Sequence, residues 1–202
     1  MSQKSQPAPF FSLKRWSTRD LLILVALSIV VAGVNFFSSA LRVFLEASIG
    51  VYGNRITMVI NIIILFIIPY LIRRPGAALL GAVLSGLIQL PFSPFGLISI
   101  VGFTIGGLIT EILFATGRYR TYTHRFILII AVVYNLITLG FVWALFQIGS
   151  LNVIGIVGVF VASIVGGLLG GWLTTLIGDG MRGSGVLQSY LIDAEIDSTT
   201  IS

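Results

Sequence analysis

The side chains able to recognise a small molecule are few in this chain, and most are amides. Asn35, Asn61, Gln89 and Asn135 lie inside or at the ends of long apolar runs, with Tyr134 beside Asn135, and Trp143 and Gln147 further along the same run. An amide offers both donors and acceptors, and an aromatic ring offers a face for stacking. The set therefore suits a flat heterocycle with hydrogen-bonding edges. Polar groups in hydrocarbon cost free energy unless paired, so they turn toward one another, toward water or toward a ligand. Ordinary hydrogen bonding between helices is the competing reading for each of them. Glu111 is a carboxylate within an apolar run, about one turn from its end. It is expected to pair with Arg73, Arg74 or Arg118, in a structural or coupling role at the membrane rim.

Catalytic chemistry finds little to work with. Lysine occurs only at positions 4 and 14, so a phosphate-cradling loop with its lysine is excluded, and ATP-driven work falls to other chains. There is no cysteine, and His124 is the single histidine, so no set of soft or imidazole metal ligands is available. A hydrolase would need His124 as base for a serine such as that in Gly183-Ser184-Gly185, and nothing in the sequence joins the two. The expectation is a non-enzyme with no catalytic residue, metal site or cofactor.

The elements that must position these residues follow from composition. Of 202 residues, 56% are hydrophobic and 9% charged, with a mean hydropathy of +1.06. Soluble domains carry roughly 25% charged residues, so the chain belongs in a bilayer. Apolar runs predict six spans: Leu21–Leu41, Ile56–Ile72, Pro75–Leu90, Leu97–Ala115, Phe126–Phe146 and Leu151–Ile177. The fold class is an all-α integral membrane bundle of six transmembrane helices. Residues 1–20 form a tail, 21–178 the membrane domain, and 179–202 a second tail expected to be disordered. The piece Phe10 to Trp16 suits the membrane interface, and Arg42 to Arg55 predicts a short interfacial helix with a turn at Gly50 to Asn54.

Orientation follows from the cations. The N-terminal tail, Arg73 and Arg74, Arg118, Arg120 and Arg125, and Arg182 fall on one side, against only Arg42 and Arg55 on the other. That asymmetry puts both termini in the cytoplasm and accounts for the formal charge of +5 without nucleic acid. Asn35, Asn61, Gln89, Trp143 and Gln147 then fall in the outer half of the bilayer, and Asn135 nearer its middle. Small residues recur every four positions, as at Ser28 and Ala32, Ala78, Ala82 and Gly86, Gly166 and Gly170, and Gly167 and Gly171. Such stripes let helix backbones approach closely, inside the bundle or against a partner.

Tyr70-Leu-Ile-Arg-Arg-Pro-Gly-Ala-Ala-Leu-Leu80 and Gly107-Leu-Ile-Thr-Glu-Ile-Leu-Phe-Ala-Thr-Gly-Arg118, at their separation, resemble the S component of an energy-coupling-factor vitamin transporter. The branch is the YkoE-like one, associated with thiamine and its hydroxymethylpyrimidine precursor. The resemblance implies a capture subunit in a bacterial or archaeal cell membrane. It would bind a vitamin or precursor on the outer face and work with a transmembrane coupling subunit and two cytoplasmic ATPases. It also implies that small residues of the first span, here Ala26, Ser28 and Ala32, contact the coupling subunit, and that the loop from Arg42 to Arg55 covers the pocket. Where that branch carries acidic residues after the Arg-Pro-Gly hinge and an aromatic in the second span, this chain has Ala82, Gln89 and Asn61. A neutral pyrimidine suits these amides better than a cation. The cobalt and nickel relatives carry a metal-binding N-terminus with an early histidine, which Met1-Ser-Gln-Lys4 does not match. Asn35, Asn61, Gln89, Tyr134, Asn135 and Trp143 are the expected ligand contacts. The alternatives are a membrane assembly protein without transport activity and, more distantly, an intramembrane enzyme.

Overall fold

The computed structural model describes residues 16–93, 96–119, 121–145, 149 and 151–183. Lys4, Lys14, Arg15, Arg120, Gln147, the piece Phe10 to Arg15 and everything after Gly183 lie outside the described residues, and with them most of both expected tails. Within the described residues the chain forms six α-helices: α1 Thr18–Ile49, α2 Val51–Ile72, α3 Ala77–Gln89, α4 Leu97–Thr116, α5 His124–Leu145 and α6 Val153–Gly183. All but α3 are long and apolar enough to cross a membrane. A 3-10 turn, Leu90–Phe92, extends α3.

α1 begins inside the segment expected to be tail, because Ser17 and Asp20 form a capping box. The Ser17 N–H donates to Asp20 at 2.9 Å, and Ser17 Oγ accepts from the Arg19 N–H. Asp20 also takes an ion pair from Arg74 Nε at 2.9 Å, which ties the start of α1 to the α2–α3 turn. At its other end α1 runs without a break to Ile49. The interfacial helix and covering loop expected over Arg42 to Arg55 are therefore not present as such. Gly50 alone makes the corner, at φ 60°, where a residue without Cβ is unstrained.

α2 is the most buried of the long helices and the axis of the bundle, packed chiefly on α1 and α6 and more lightly on α3. Its Ile62, Leu65, Phe66 and Tyr70 join Phe114, Ile127, Ala131 and Tyr134 in one cluster, while Ile64, Ile67, Ile68 and Leu71 meet Leu24 and Val31 of α1 in another. The glycine stripes of α6 serve this packing. A Cβ on Gly170 would stand 2.9 Å from Ile62 Cβ of α2, and one on Gly167 would stand 2.7 Å from Val132 Cα of α5. The outward faces of α1 and α6 carry exposed Leu22, Ile29, Val30, Phe37, Ile154, Val161 and Trp172. Such a girdle is stable only against lipid.

α4 departs from this close packing. It lies tightly on α3, where a Cβ on Gly107 would stand 2.5 Å from Ala82 Cβ, but has little contact with α2 and α5. That separation opens a cavity inside the bundle.

Candidate functional site

The cavity lies among α1, α2, α4 and α5, with the end of α3 at its side, and has a volume of about 400 Å³. Pockets for small organic molecules occupy roughly 300–1,000 Å³. Asn35, Ser39 and Arg42 line it from α1, and their spacing of four and three residues puts them on one helical stripe. Met58, Asn61 and Leu65 form the matching stripe on α2, and Tyr134, Thr138 and Phe141 that on α5. Gly102, Phe103, Gly106 and Ile109 supply the α4 wall, with Gln89, Ser93 and Ser99 beside them.

Two of these amides meet directly. Asn35 Nδ2 donates to Gln89 Oε1 at 2.5 Å, joining α1 to the end of α3. Asn35 is 7% and Gln89 2% exposed, so the pair is almost wholly withdrawn from solvent. The bond uses one donor of Asn35 and one acceptor of Gln89. Each amide retains the opposite function, giving a complementary edge for a ligand that both donates and accepts. Tyr134 stands deeper, its ring edge-on to Phe66 at 5.6 Å. Its hydroxyl lies 3.1 Å from where a Cβ on Gly106 would be, so the glycine leaves room for it.

Four of the six expected ligand contacts, Asn35, Asn61, Gln89 and Tyr134, thus line one cavity. The other two stand elsewhere. Asn135 is fully buried between helices: it donates from Nδ2 to the Ser163 carbonyl at 2.8 Å, and its Oδ1 accepts from Arg55 Nη1 at 3.2 Å. Trp143 is 37% exposed and packs edge-on against Phe160 of α6. Ser39, Arg42, Ser93, Ser99 and Thr138 line the cavity without having been expected there. The Asn35, Ser39, Arg42 stripe was visible in the sequence as polar residues at helical spacing, but the expected end of the first span at Leu41 hid its last member.

Arg55 corrects the placement of the cations. It is not in a loop on the outer side but 1% exposed within α2. Its Nη2 donates to Asn54 Oδ1 at 2.5 Å, and Asn54 Nδ2 donates in turn to Glu46 at 2.7 Å. Arg42 Nε faces the same Glu46 oxygen at 3.6 Å. A polar chain therefore runs from the cavity wall through the α1–α2 corner into the α5–α6 interface.

Glu111 is likewise not held by an arginine. No arginine nitrogen among the described residues comes within salt-bridge distance of it. Its oxygens accept from the backbone N–H of Gly76 at 2.5 Å, Ala78 at 3.1 Å and Leu79 at 3.4 Å, and from the Tyr119 hydroxyl. A carboxylate from α4 thus caps the N-terminus of α3, where unpaired N–H groups and the helix dipole favour negative charge. Arg73 adopts a left-handed conformation as the C-cap of α2 and stacks over Tyr122 at 4.5 Å, while Arg74 is committed to Asp20. Arg118 follows α4 with φ 51°, also left-handed. His124 is exposed, with Nδ1 2.8 Å from Thr175 Oγ1.

The expected partner-contact residues separate by face. Ala26 is exposed, whereas Ser28 is 0% and Ala32 4% exposed. Ser28 Oγ donates to the Gly81 carbonyl and the Ser28 carbonyl accepts from Ser85 Oγ, so Ser28 is occupied within the bundle and cannot meet a partner.

An apolar-girdled helical bundle with a largely apolar cavity that carries a few amides, hydroxyls and one arginine is the construction of a multi-pass membrane protein that holds a small molecule. The chain belongs to the family described as the ABC-type cobalt transport system, permease component, whose model matches residues 19–137. It is 26% identical over 192 residues to the Putative HMP/thiamine permease protein YkoE of Bacillus subtilis (strain 168), a match covering 91% of this chain and 94% of that protein. Its fold is that of a solved S component of an ECF transporter, with a TM-score of 0.73, 20% identity, and coverage of 93% of this chain and 98% of that one.

Proposed function

We propose that this chain is the substrate-capture subunit of an ATP-driven energy-coupling-factor importer for a vitamin or vitamin precursor, with a thiamine-related pyrimidine favoured. The observation that carries the reading is the cavity of about 400 Å³ walled by the bonded Asn35–Gln89 pair, Asn61 and Tyr134. The name of the Bacillus subtilis relative supports a pyrimidine. The amide edge and the phenol meet the needs of a flat ring with donors and acceptors.

All six helices cross the membrane in this reading. α3 with its 3-10 turn spans about 26 Å at ordinary rises per residue, enough for a slightly thinned hydrocarbon core of ~30 Å. The start of α1 and the ends of α2 and α6 share one end of the bundle, joined by Arg74 to Asp20 and by Arg182 to the Tyr70 carbonyl at 2.6 Å. We assign that arginine-rich end to the cytoplasm, so the cavity lies toward the outer face. A transmembrane coupling subunit and two ATPases supply the energy.

The test is to extract small molecules from the purified chain for mass spectrometry, and to titrate it with a vitamin panel. A stoichiometric heterocycle, displaced from the wild type and retained less in Asn35→Ala, is expected. A chain that carries nothing and binds nothing on the panel would return the reading to an assembly protein.

A further inference from the structure

If the chain captures a small molecule, as proposed, one side chain of the cavity tells which edge of that molecule is read. Six side-chain amides fall among the described residues, and five of them are committed within the fold. Asn35 bonds Gln89, and Asn54 bonds Glu46 and Arg55. Asn135 bonds Ser163 and Arg55, and Asn152 accepts from the Gly155 N–H. Asn61 is the sixth, and among the described residues its amide has no hydrogen-bond partner. It stands inside α2, the most buried of the long helices, on the stripe of Met58 and Leu65 that lines the cavity. An amide left unpaired in such surroundings costs free energy that an apolar residue would not. The neighbouring polar groups of the lining are less available: Thr138 and Ser99 donate to the carbonyls of Asn135 and Gly96, and Gln89 already accepts from Asn35.

The geometry of an amide limits what can satisfy it. Its oxygen accepts and its nitrogen donates side by side in one plane, so it pairs twice with a ring that sets a donor beside an acceptor. Asparagine reads adenine in this way, across the amino group and the neighbouring ring nitrogen. Space for a ring is at hand, since Gly102 lines the same cavity from α4 and a Cβ there would meet nothing within 4 Å. Aminopyrimidines carry such an edge. It is the same in a neutral pyrimidine and in one joined to a cationic ring, so the pairing is indifferent to the charge of the ligand.

We propose that Asn61 is a specificity-determining residue of the cavity, taking through two parallel hydrogen bonds a planar nitrogen heterocycle with an amino group beside a ring nitrogen.

Titration of the full chain in nanodiscs with three pyrimidines tests this: hydroxymethylpyrimidine, its analogue with hydrogen in place of the amino group, and its dimethylamino analogue, which keeps the ring nitrogen but cannot donate. The wild type is expected to bind the first at least about tenfold tighter than either analogue, the discrimination of a two-point pairing. In Asn61→Leu and Asn61→Ala, each shown by its thermal midpoint to be folded, that ratio should fall to near unity, because affinity for the amino compound is lost while that for the analogue without the amino group is kept. An amino compound bound no tighter than its analogues, or a ratio unchanged in both folded variants, overturns the proposal and leaves the capture reading intact. So does an extracted ligand that has no donor beside an acceptor on its ring. No binding by any pyrimidine, with no ligand in the extract, overturns both.

Discussion

Asn35 on α1 and Gln89 at the end of α3 are 54 positions apart in sequence and share a hydrogen bond of 2.5 Å at the wall of the cavity. This one contact does two things. It closes the α1–α3 seam where the 3-10 turn begins, and it presets the orientation of both amides, so that a ligand meets a fixed donor and a fixed acceptor. Truncating either residue should therefore affect binding more than a single contact suggests, since its partner is left both unpaired and free to turn. Asn35→Ala or Gln89→Ala should weaken ligand binding by about 1–3 kcal/mol, the cost of leaving a buried polar group unsatisfied. Calorimetric titration checks this, and equal affinities in wild type and both variants would exclude the pair from the site.

Gly102 offers a way to fill the cavity without disturbing the bundle. It lines the cavity, and a Cβ there would meet nothing within 4 Å. Leucine in its place should occupy ligand space while improving local helix propensity by up to about 1 kcal/mol. Gly102→Leu is expected to keep or slightly raise the thermal midpoint of the empty protein and to abolish its ligand-induced shift. Gly107→Leu should instead lower the midpoint, because Ala82 occupies the place of its Cβ.

Glu111 should prove a fold residue. Glu111→Ala leaves the amides of Gly76, Ala78 and Leu79 without their acceptor and should cost about 1–3 kcal/mol, with Glu111→Gln losing less. The sensitive measurement is hydrogen exchange at Ala78 and Leu79, which should accelerate in both variants while ligand affinity is unchanged. Loss of affinity with unchanged exchange would instead place Glu111 in substrate coupling.

The five long spans were legible because a bilayer demands long apolar runs, and such runs survive in sequence whatever their neighbours do. The site was half legible for a related reason. Asn35, Asn61 and Gln89 stand out among apolar residues, and with Tyr134 they mark the cavity-facing side of α1, α2, α5 and the end of α3. What could not be read was which polar groups satisfy one another. Asn135 looked like a ligand contact as an amide inside an apolar run, and its partner Arg55 looked like a loop residue. Only the packing of α2 and α5 side by side on α6 brings the two together and consumes both. Glu111 misled in the same way, since its partners are backbone N–H groups that carry no sequence signature. Ser28 and Ala32 differ from Ala26 only in helical face, and small residues of an apolar helix do not declare which face is inward.

The turn after α4 should confer a pH dependence. Burial raises the Tyr119 phenol above its ordinary value of ~10, with its hydrogen bond to Glu111 a second cause, and burial raises Tyr122 likewise. A group whose folded pKa lies above its unfolded one stabilises the fold fully below the unfolded value. That contribution is lost as pH rises toward the folded value. Stability should thus be flat from neutral pH to about 9 and fall above ~10. Tyr119→Phe keeps the ring but not the proton, so it should be less stable at pH 8 and show a shallower alkaline decline. Parallel alkaline declines in variant and wild type would remove Tyr119 as the cause.

If the chain works with a coupling subunit, as proposed, the outward face of α1 offers it an approach, and of the three residues expected there only Ala26 lies on that face. Ala26, Gly33, Ala40 and Ala47 are all exposed and recur every seven residues, two turns of helix, so they form one shallow strip among Leu22, Val30, Phe37 and Phe44. A Cβ on Gly33 would meet nothing within 4 Å, which shows that the strip is unfilled by the bundle itself. In lipid, helices associate where small residues let backbones come close. Gly33→Leu should therefore fold and bind ligand as the wild type does, since a leucine there faces hydrocarbon. It should also lose co-purification with the coupling subunit, and uptake with it. Ser28→Leu should behave in the opposite way: its side chain would enter the α1–α3 seam, where overpacking costs about 1–3 kcal/mol, and the isolated chain would be destabilised before any partner is added. Co-elution and uptake retained in Gly33→Leu would move the coupling face off this strip, to another of the exposed apolar faces such as that of α6.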